Sequence, residues 1–148
     1  MVMANAGIPI TLVETTPELA EAARQRIENT YKMSSAFKSG KMTEEKLQKT
    51  MSFFTFASDL STLQDADLVV EAVFENMEVK KTIFSQLDKI CKSDAILATN
   101  TSFMDVDEIA SATARPANVV GTRKNSLENF ILTISHIVYF CTRLLRSR

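Results

Sequence analysis

The segment Leu68-Val69-Val70-Glu71-Ala72-Val73 restricts the fold more than any other part of the chain. It is too short for a buried helix and too continuously apolar for a strand with one wet face, so it reads as a parallel strand covered on both sides. Three further runs fit the same role: Ile8 to Glu14 after a turn-like Gly7, Ala95 to Thr99, and Val119 to Gly121 behind Asn118. Helical segments separate them. Thr15 or Thr16 can cap the first, Pro17 suits its opening turn, Glu18 completes a capping box from Thr15, and Leu19, Ala22, Ala23, Ile27 and Tyr31 recur at helical spacing up to a terminator at Gly40. A shorter helix starts at Thr43 with Glu44 and Glu45 at its positive end. Asn76 caps another, whose apolar face is traced by Val79, Ile83, Leu87 and Ile90. Asp105 and Glu108 form a capping box for a fourth, stopped by Arg115-Pro116. Phe53 to Asp67 carries no clear element; its aromatics are expected to cover the sheet edge, with turn chemistry at Ser58, Asp59, Ser61 and Thr62. Alternating strands and helices imply right-handed crossovers and a doubly wound α/β sheet over residues 1–122.

Residues 123–148 differ in character. Leu127, Phe130, Ile131, Ile134, Ile137, Val138, Cys141, Leu144 and Leu145 recur near helical spacing, yet the stretch is rich in β-formers. Two placements follow: a helix on the sheet edge, which is the preferred reading, or a strand in the sheet.

Composition excludes several functions. A formal net charge of -1 offers no basic surplus for a phosphate backbone, which argues against nucleic-acid binding. The three glycines, Gly7, Gly40 and Gly121, lie too far apart for a G-x-G-x-x-G or Walker loop. One histidine and two distant cysteines build neither a zinc cluster nor a C-x-x-C pair, so no metal is expected. Met1 to Gly7 lacks the basic start and apolar length of a signal peptide. Leu127 to Leu145 approaches the length of a membrane span but is broken by Thr133, Ser135, His136, Thr142 and Arg143.

Ligands of open α/β sheets bind beyond the carboxyl ends of the strands, and several polar residues fall there. Glu14 could accept both hydroxyls of an adenosine ribose and repel a 2′-phosphate; otherwise it is a solvated residue before a helix. Glu71 and Glu75, with Lys80 beyond, could hold a ribose or a phosphate, the plainer alternative being that Glu75 and Lys80 are surface charges. Asn100-Thr101-Ser102 offers an amide and two hydroxyls to a substrate oxygen, or is simply a loop. His136, the only histidine, is the default base by pKa, but no acid neighbours it in sequence and a structural role fits better. Cys91 is expected in the core.

Taken in order, Gly7-Ile8-Pro9-Ile10-Thr11-Leu12-Val13-Glu14, Asp67-Leu68-Val69-Val70-Glu71-Ala72-Val73-Phe74-Glu75 with Val79-Lys80-Lys81, and Ala98-Thr99-Asn100-Thr101-Ser102 resemble the NAD-binding domain of 3-hydroxyacyl-CoA dehydrogenases. Asp105 to Thr113, Arg115-Pro116 and Val119-Val120-Gly121-Thr122 are similar to the peroxisomal branch, in which the dehydrogenase is fused to an enoyl-CoA hydratase. The resemblance implies NAD as cofactor, an acyl-CoA substrate and a role in fatty-acid β-oxidation. It places Glu14 at the adenosine ribose, Val73, Phe74, Glu75 and Lys80 along the NAD site, and Ser102 where cofactor and substrate meet, bonding the reacting oxygen.

The same resemblance implies a chain shortened at both ends. The family's first strand, its glycine-rich loop and most of the first helix have no counterpart before Met1 to Ala6, which aligns with the end of that helix. The expected fold is therefore a partial Rossmann-like doubly wound parallel sheet without its central first strand. Such a gap exposes two strand edges, so without compensation from the tail the chain is expected to aggregate and melt non-cooperatively. Arg123 stands where the catalytic histidine is expected, which leaves Ser102 without its base and predicts a fragment inactive alone. The competing function is a non-enzymatic interaction protein whose 127–145 tail docks a partner subunit or a membrane, though its polar interruptions weigh against insertion. A peroxisomal or mitochondrial location is implied by resemblance only, since no terminal S-K-L address is present.

Overall fold

The computed structural model describes residues 2–122 and 137–140. Their strands are β1 (Ile10–Val13), β2 (Phe54–Ala57), β3 (Leu68–Glu71), β4 (Ile96–Thr99), β5 (Val119–Gly121) and β6 (Ile137–Phe140). They form one six-stranded sheet in the order β2-β1-β6-β3-β4-β5, and every pairing is parallel. The helices are α1 (Val2–Asn5), α2 (Pro17–Met33), α3 (Ser35–Lys38), α4 (Glu44–Met51), α5 (Met77–Ile90) and α6 (Val106–Ala110).

Burial explains why the strand signals were strong. Along β3, Leu68 and Val70 join a cluster with Met3 and Ala4 of α1, whereas Val69 joins Phe84 and Leu87 of α5 and Ile109 of α6. Successive side chains point to opposite faces, and both faces are covered. All four β3 residues are buried as a result. The first element of the chain is the short helix α1. Gly7, at φ +77°, closes α1 in a left-handed conformation, with Gly7 N–H donating to Ala4 O at 3.0 Å and Ile8 N–H to Met3 O at 3.1 Å. The chain then turns straight into β1.

The preferred reading of the tail, a helix, is corrected over residues 137–140. These form β6 between β1 and β3, with Ile10 and Leu68 both opposite Ile137, and Val13 and Glu71 both opposite Phe140. Ladder satisfaction gives the reason. A gap at the centre of a sheet leaves two rows of unpaired N–H and C=O groups, which a helix cannot satisfy and a strand satisfies on both sides. The run Ile-Val-Tyr-Phe is made of strong β-formers. The remainder of 123–148, including Arg123 and His136, lies outside the described residues.

Other expectations need smaller corrections. Phe53 to Asp67 does contain a strand: β2 is the edge of the sheet beside β1, Phe54 and Phe56 stack at 5.8 Å, and a short 3-10 turn Leu60–Leu63 follows. The first long helix stops at Met33, before Gly40, because Ser34 takes an extended ψ of 152°; its Oγ donates to Tyr31 O at 2.6 Å and accepts Phe37 N–H at 3.2 Å, ending α2 and opening α3. Thr16, not a Thr15–Glu18 box, caps α2. Asp105 caps α6, but Glu108 pairs with Lys81 at 2.6 Å in place of closing a box. The buried face of α5 carries Lys80, Phe84 and Leu87, while Val79 is 41% exposed. The caps at Thr43 and Asn76 and the core position of Cys91 agree with expectation.

Candidate functional site at the carboxyl edge of the sheet

β3 and β4 end on Glu71 and Thr99, and Glu14 and Thr122 follow the last residues of β1 and β5, so polar groups collect along one edge. Glu14 follows β1, with its N–H donating to Ala57 O at 2.9 Å. It is half-buried, and that burial raises its carboxyl pKa against the opposing pull of Arg26. Two strand spacings, about 10 Å, separate it from the end of β3 because β6 intervenes.

At β3 the strand alternation turns Glu71 toward α5, where Lys80 enters the core. Lys80 Nζ donates to Glu71 Oε1 at 2.8 Å and Oε2 at 2.9 Å, and both side chains are fully buried. Thr99 of β4 donates its hydroxyl to Glu71 Oε2 at 2.7 Å, and Val73 N–H donates to Oε1. A carboxylate so placed needs several donors to offset its desolvation, and four hydrogen bonds supply them. The reading of Lys80 as a surface charge does not hold.

Above this network two loops meet. Phe74 is 71% exposed and Glu75 is exposed beside it. Thr101, after β4, donates its hydroxyl to Glu75 Oε2 at 2.8 Å and accepts N–H bonds from Met104 at 3.1 Å and Phe103 at 3.4 Å. Ser102 is exposed on that turn. The structure thus brings Val73, Phe74, Glu75 and Ser102 onto adjacent loops, holds Lys80 beneath them, and leaves Glu14 at the end of β1, on the far side of β6. Sequence reasoning named the Asn100-Thr101-Ser102 group but gave Thr101 no particular role, and it did not pair Glu71 with Lys80. The signal for the pair was a lone acid inside an otherwise apolar strand, which requires a buried donor.

A parallel doubly wound sheet with carboxylates and hydroxyls along its carboxyl edge is the architecture of dinucleotide-binding proteins. Residues 1–123 match the family model described as the 3-hydroxyacyl-CoA dehydrogenase NAD binding domain, and the chain belongs to that family. It is 43% identical over 119 residues to the peroxisomal bifunctional enzyme of Cavia porcellus, covering 80% of this chain and 16% of that protein. Over 121 residues it is 39% identical to a 3-hydroxybutyryl-CoA dehydrogenase of Mycobacterium tuberculosis, covering 81% of this chain and 42% of the relative. The crystal structure of FadB2 from M. tuberculosis superposes with a TM-score of 0.79 at 31% identity, over 95% of this chain and 57% of that one. The chain therefore spans less than half the length of these curated relatives. The family is that of NAD-dependent β-oxidation dehydrogenases, as the resemblance implied, and the matches lend no support to an interaction or membrane protein. No helix among the described residues is long and apolar enough to cross a membrane.

Proposed function

We propose that this chain binds NAD along the carboxyl edge of its sheet and that the 148 residues alone do not turn over a 3-hydroxyacyl-CoA. The observation that carries the reading is the junction of Glu75 and the Ser102 turn through Thr101 at 2.8 Å, on the strand ends next to the central position. Glu14 takes the adenosine ribose hydroxyls, and its charge disfavours a 2′-phosphate, so NAD is selected over NADP. Val73 and Phe74 supply the wall of the nicotinamide half, Glu75 a carboxylate acceptor there, and Ser102 a hydroxyl for the reacting oxygen of an acyl-CoA. Lys80 contributes from below, since its ammonium is committed to Glu71. NAD, when bound, supplies the hydride-accepting ring. Oxidation also requires a group that takes the hydroxyl proton, and Arg123, at the family's histidine position, stays protonated at neutral pH. The peroxisomal relatives favour a peroxisomal setting, which imaging of the tagged chain in cells would test.

Titration calorimetry of the full chain with NAD tests the binding. Weak saturable heat, diminished in Glu14→Ala, is expected; no heat at any NAD concentration overturns it. An assay with acetoacetyl-CoA and NADH is expected to show no turnover, and NADH oxidation above a Ser102→Ala control would contradict that part.

A further inference from the structure

We propose that Thr101 is a positioning residue that mechanically couples Glu75 to the Ser102 turn, so that the two halves of the nicotinamide site are set together before any ligand arrives. The hydroxyl inventory supports this. A threonine hydroxyl has one proton and two acceptor sites, and Thr101 uses all three: the proton on Glu75 Oε2, the lone pairs on Met104 N–H and Phe103 N–H. The bond to a carboxylate is charge-assisted, hence stronger and more directional than a neutral one. Thr101 is itself only 8% exposed, whereas Glu75 and Ser102 are exposed.

The consequences concern freedom. An exposed glutamate on a loop otherwise samples several rotamers, and a ligand that needs its carboxylate must order it. The Thr101 bond fixes one oxygen of Glu75 before binding. The same hydroxyl closes the turn over residues 101–104 by holding two amides, and Met104 packs against the main core cluster, which anchors that turn to the fold. Displacing Glu75 therefore displaces the backbone that carries Ser102. Glu71 sets the level beneath, through Val73 N–H on one loop and Thr99 on the other strand. The functional consequence rests on the NAD reading above; the coupling itself does not.

A double-mutant cycle tests the coupling without any nucleotide, using hydrogen exchange at the Phe103 and Met104 amides of the full chain. Glu75→Ala is expected to speed their exchange about tenfold in the wild-type background and to have no further effect in Thr101→Val, with Thr101→Ser restoring wild-type behaviour. Equal effects of Glu75→Ala in both backgrounds overturn the proposal, and so does failure of Thr101→Ser to restore the response. A second arm compares NADH with ADP-ribose, which lacks the nicotinamide. Thr101→Val is expected to weaken NADH about tenfold and to leave ADP-ribose unchanged. Equal weakening of both ligands overturns the positioning role. Absence of NADH binding to the wild-type chain refutes the NAD reading, and the exchange cycle then decides the coupling alone.

Discussion

Lys80 Nζ lies 2.8 Å and 2.9 Å from the two carboxylate oxygens of Glu71, and neither side chain has any solvent exposure. The pair joins the first turn of α5 to the end of β3, directly under the loop that carries Glu75. Removing one partner strands a buried charge. Lys80→Met is expected to lower stability by about 3 to 5 kcal/mol, and Glu71→Gln added to it to recover part of that loss. Urea denaturation of the wild type and the two variants checks this; a Lys80→Met chain as stable as wild type would show that the pair is not buried.

Arg115 closes the other end of α5. Its Nε donates to Asp88 Oδ1 at 2.7 Å, and its terminal nitrogens reach Asp88 O at 2.8 Å, Cys91 O at 3.1 Å and Lys92 O. Asp88 O and Cys91 O lie in and just past the last turn of α5, where the helix supplies no further N–H, and a planar fork meets several carbonyls at once. Arg115→Lys keeps the charge and loses the fork, so a loss of about 2 kcal/mol is expected, read as a lower denaturant midpoint. An unchanged midpoint would show that the charge alone suffices.

Glu14 gives a pH signature. Burial holds its folded pKa above the usual carboxylate value, with Arg26 opposing. The folded state therefore binds the proton more tightly than the unfolded one, and the contribution is favourable below the unfolded pKa and lost as pH rises through the folded pKa. Glu14→Gln removes that loss. As pH rises above the ordinary carboxylate range, about pH 4, the variant is expected to gain stability relative to wild type, while its NAD binding weakens because the ribose acceptor is gone. Identical pH dependence in the two chains would contradict the assignment.

Cys91 is 7% exposed, and burial raises its thiol pKa, so it remains protonated near neutrality. Peptide mapping after brief alkylation is expected to find it unmodified in the native chain and modified in denaturant. Rapid native labelling would indicate that the end of α5 opens.

The parts of this fold that were readable are those with one dominant local cause. β3 and β4 are covered on both faces and show it as unbroken apolar runs, and Asn76 and Thr43 are side-chain caps visible from residue type. β2 was missed because an edge strand with partly exposed residues, Phe54-Thr55-Phe56-Ala57, has no such run. The extended Ser34 was missed because one serine's ψ carries no periodic signal. Glu71 and Lys80 are nine positions apart across a strand-to-helix turn, a pairing no local spacing rule generates. The tail was ambiguous for a different reason: its strand exists through what it pairs with. β-propensity and helical periodicity were balanced over Ile137–Phe140, and two unpaired neighbours decided between them.

That dependence runs both ways, because β1 and β3 lose their shared partner if β6 is removed. Deleting residues 124–148 is expected to abolish a cooperative melt and to produce a state that binds a dye for exposed apolar surface. A sharp, reversible melt surviving the deletion would mean that the sheet tolerates an open centre.

Residue-resolved hydrogen exchange over 137–140 in the full chain reads whether β6 completes the sheet. A strand between two parallel neighbours uses its amides in both ladders, so the amides of Ile137–Phe140 are expected to exchange as slowly as those of Leu68–Glu71, only through global unfolding. Exchange at the rate of an unstructured peptide over these four residues, with β3 still protected, would contradict the account.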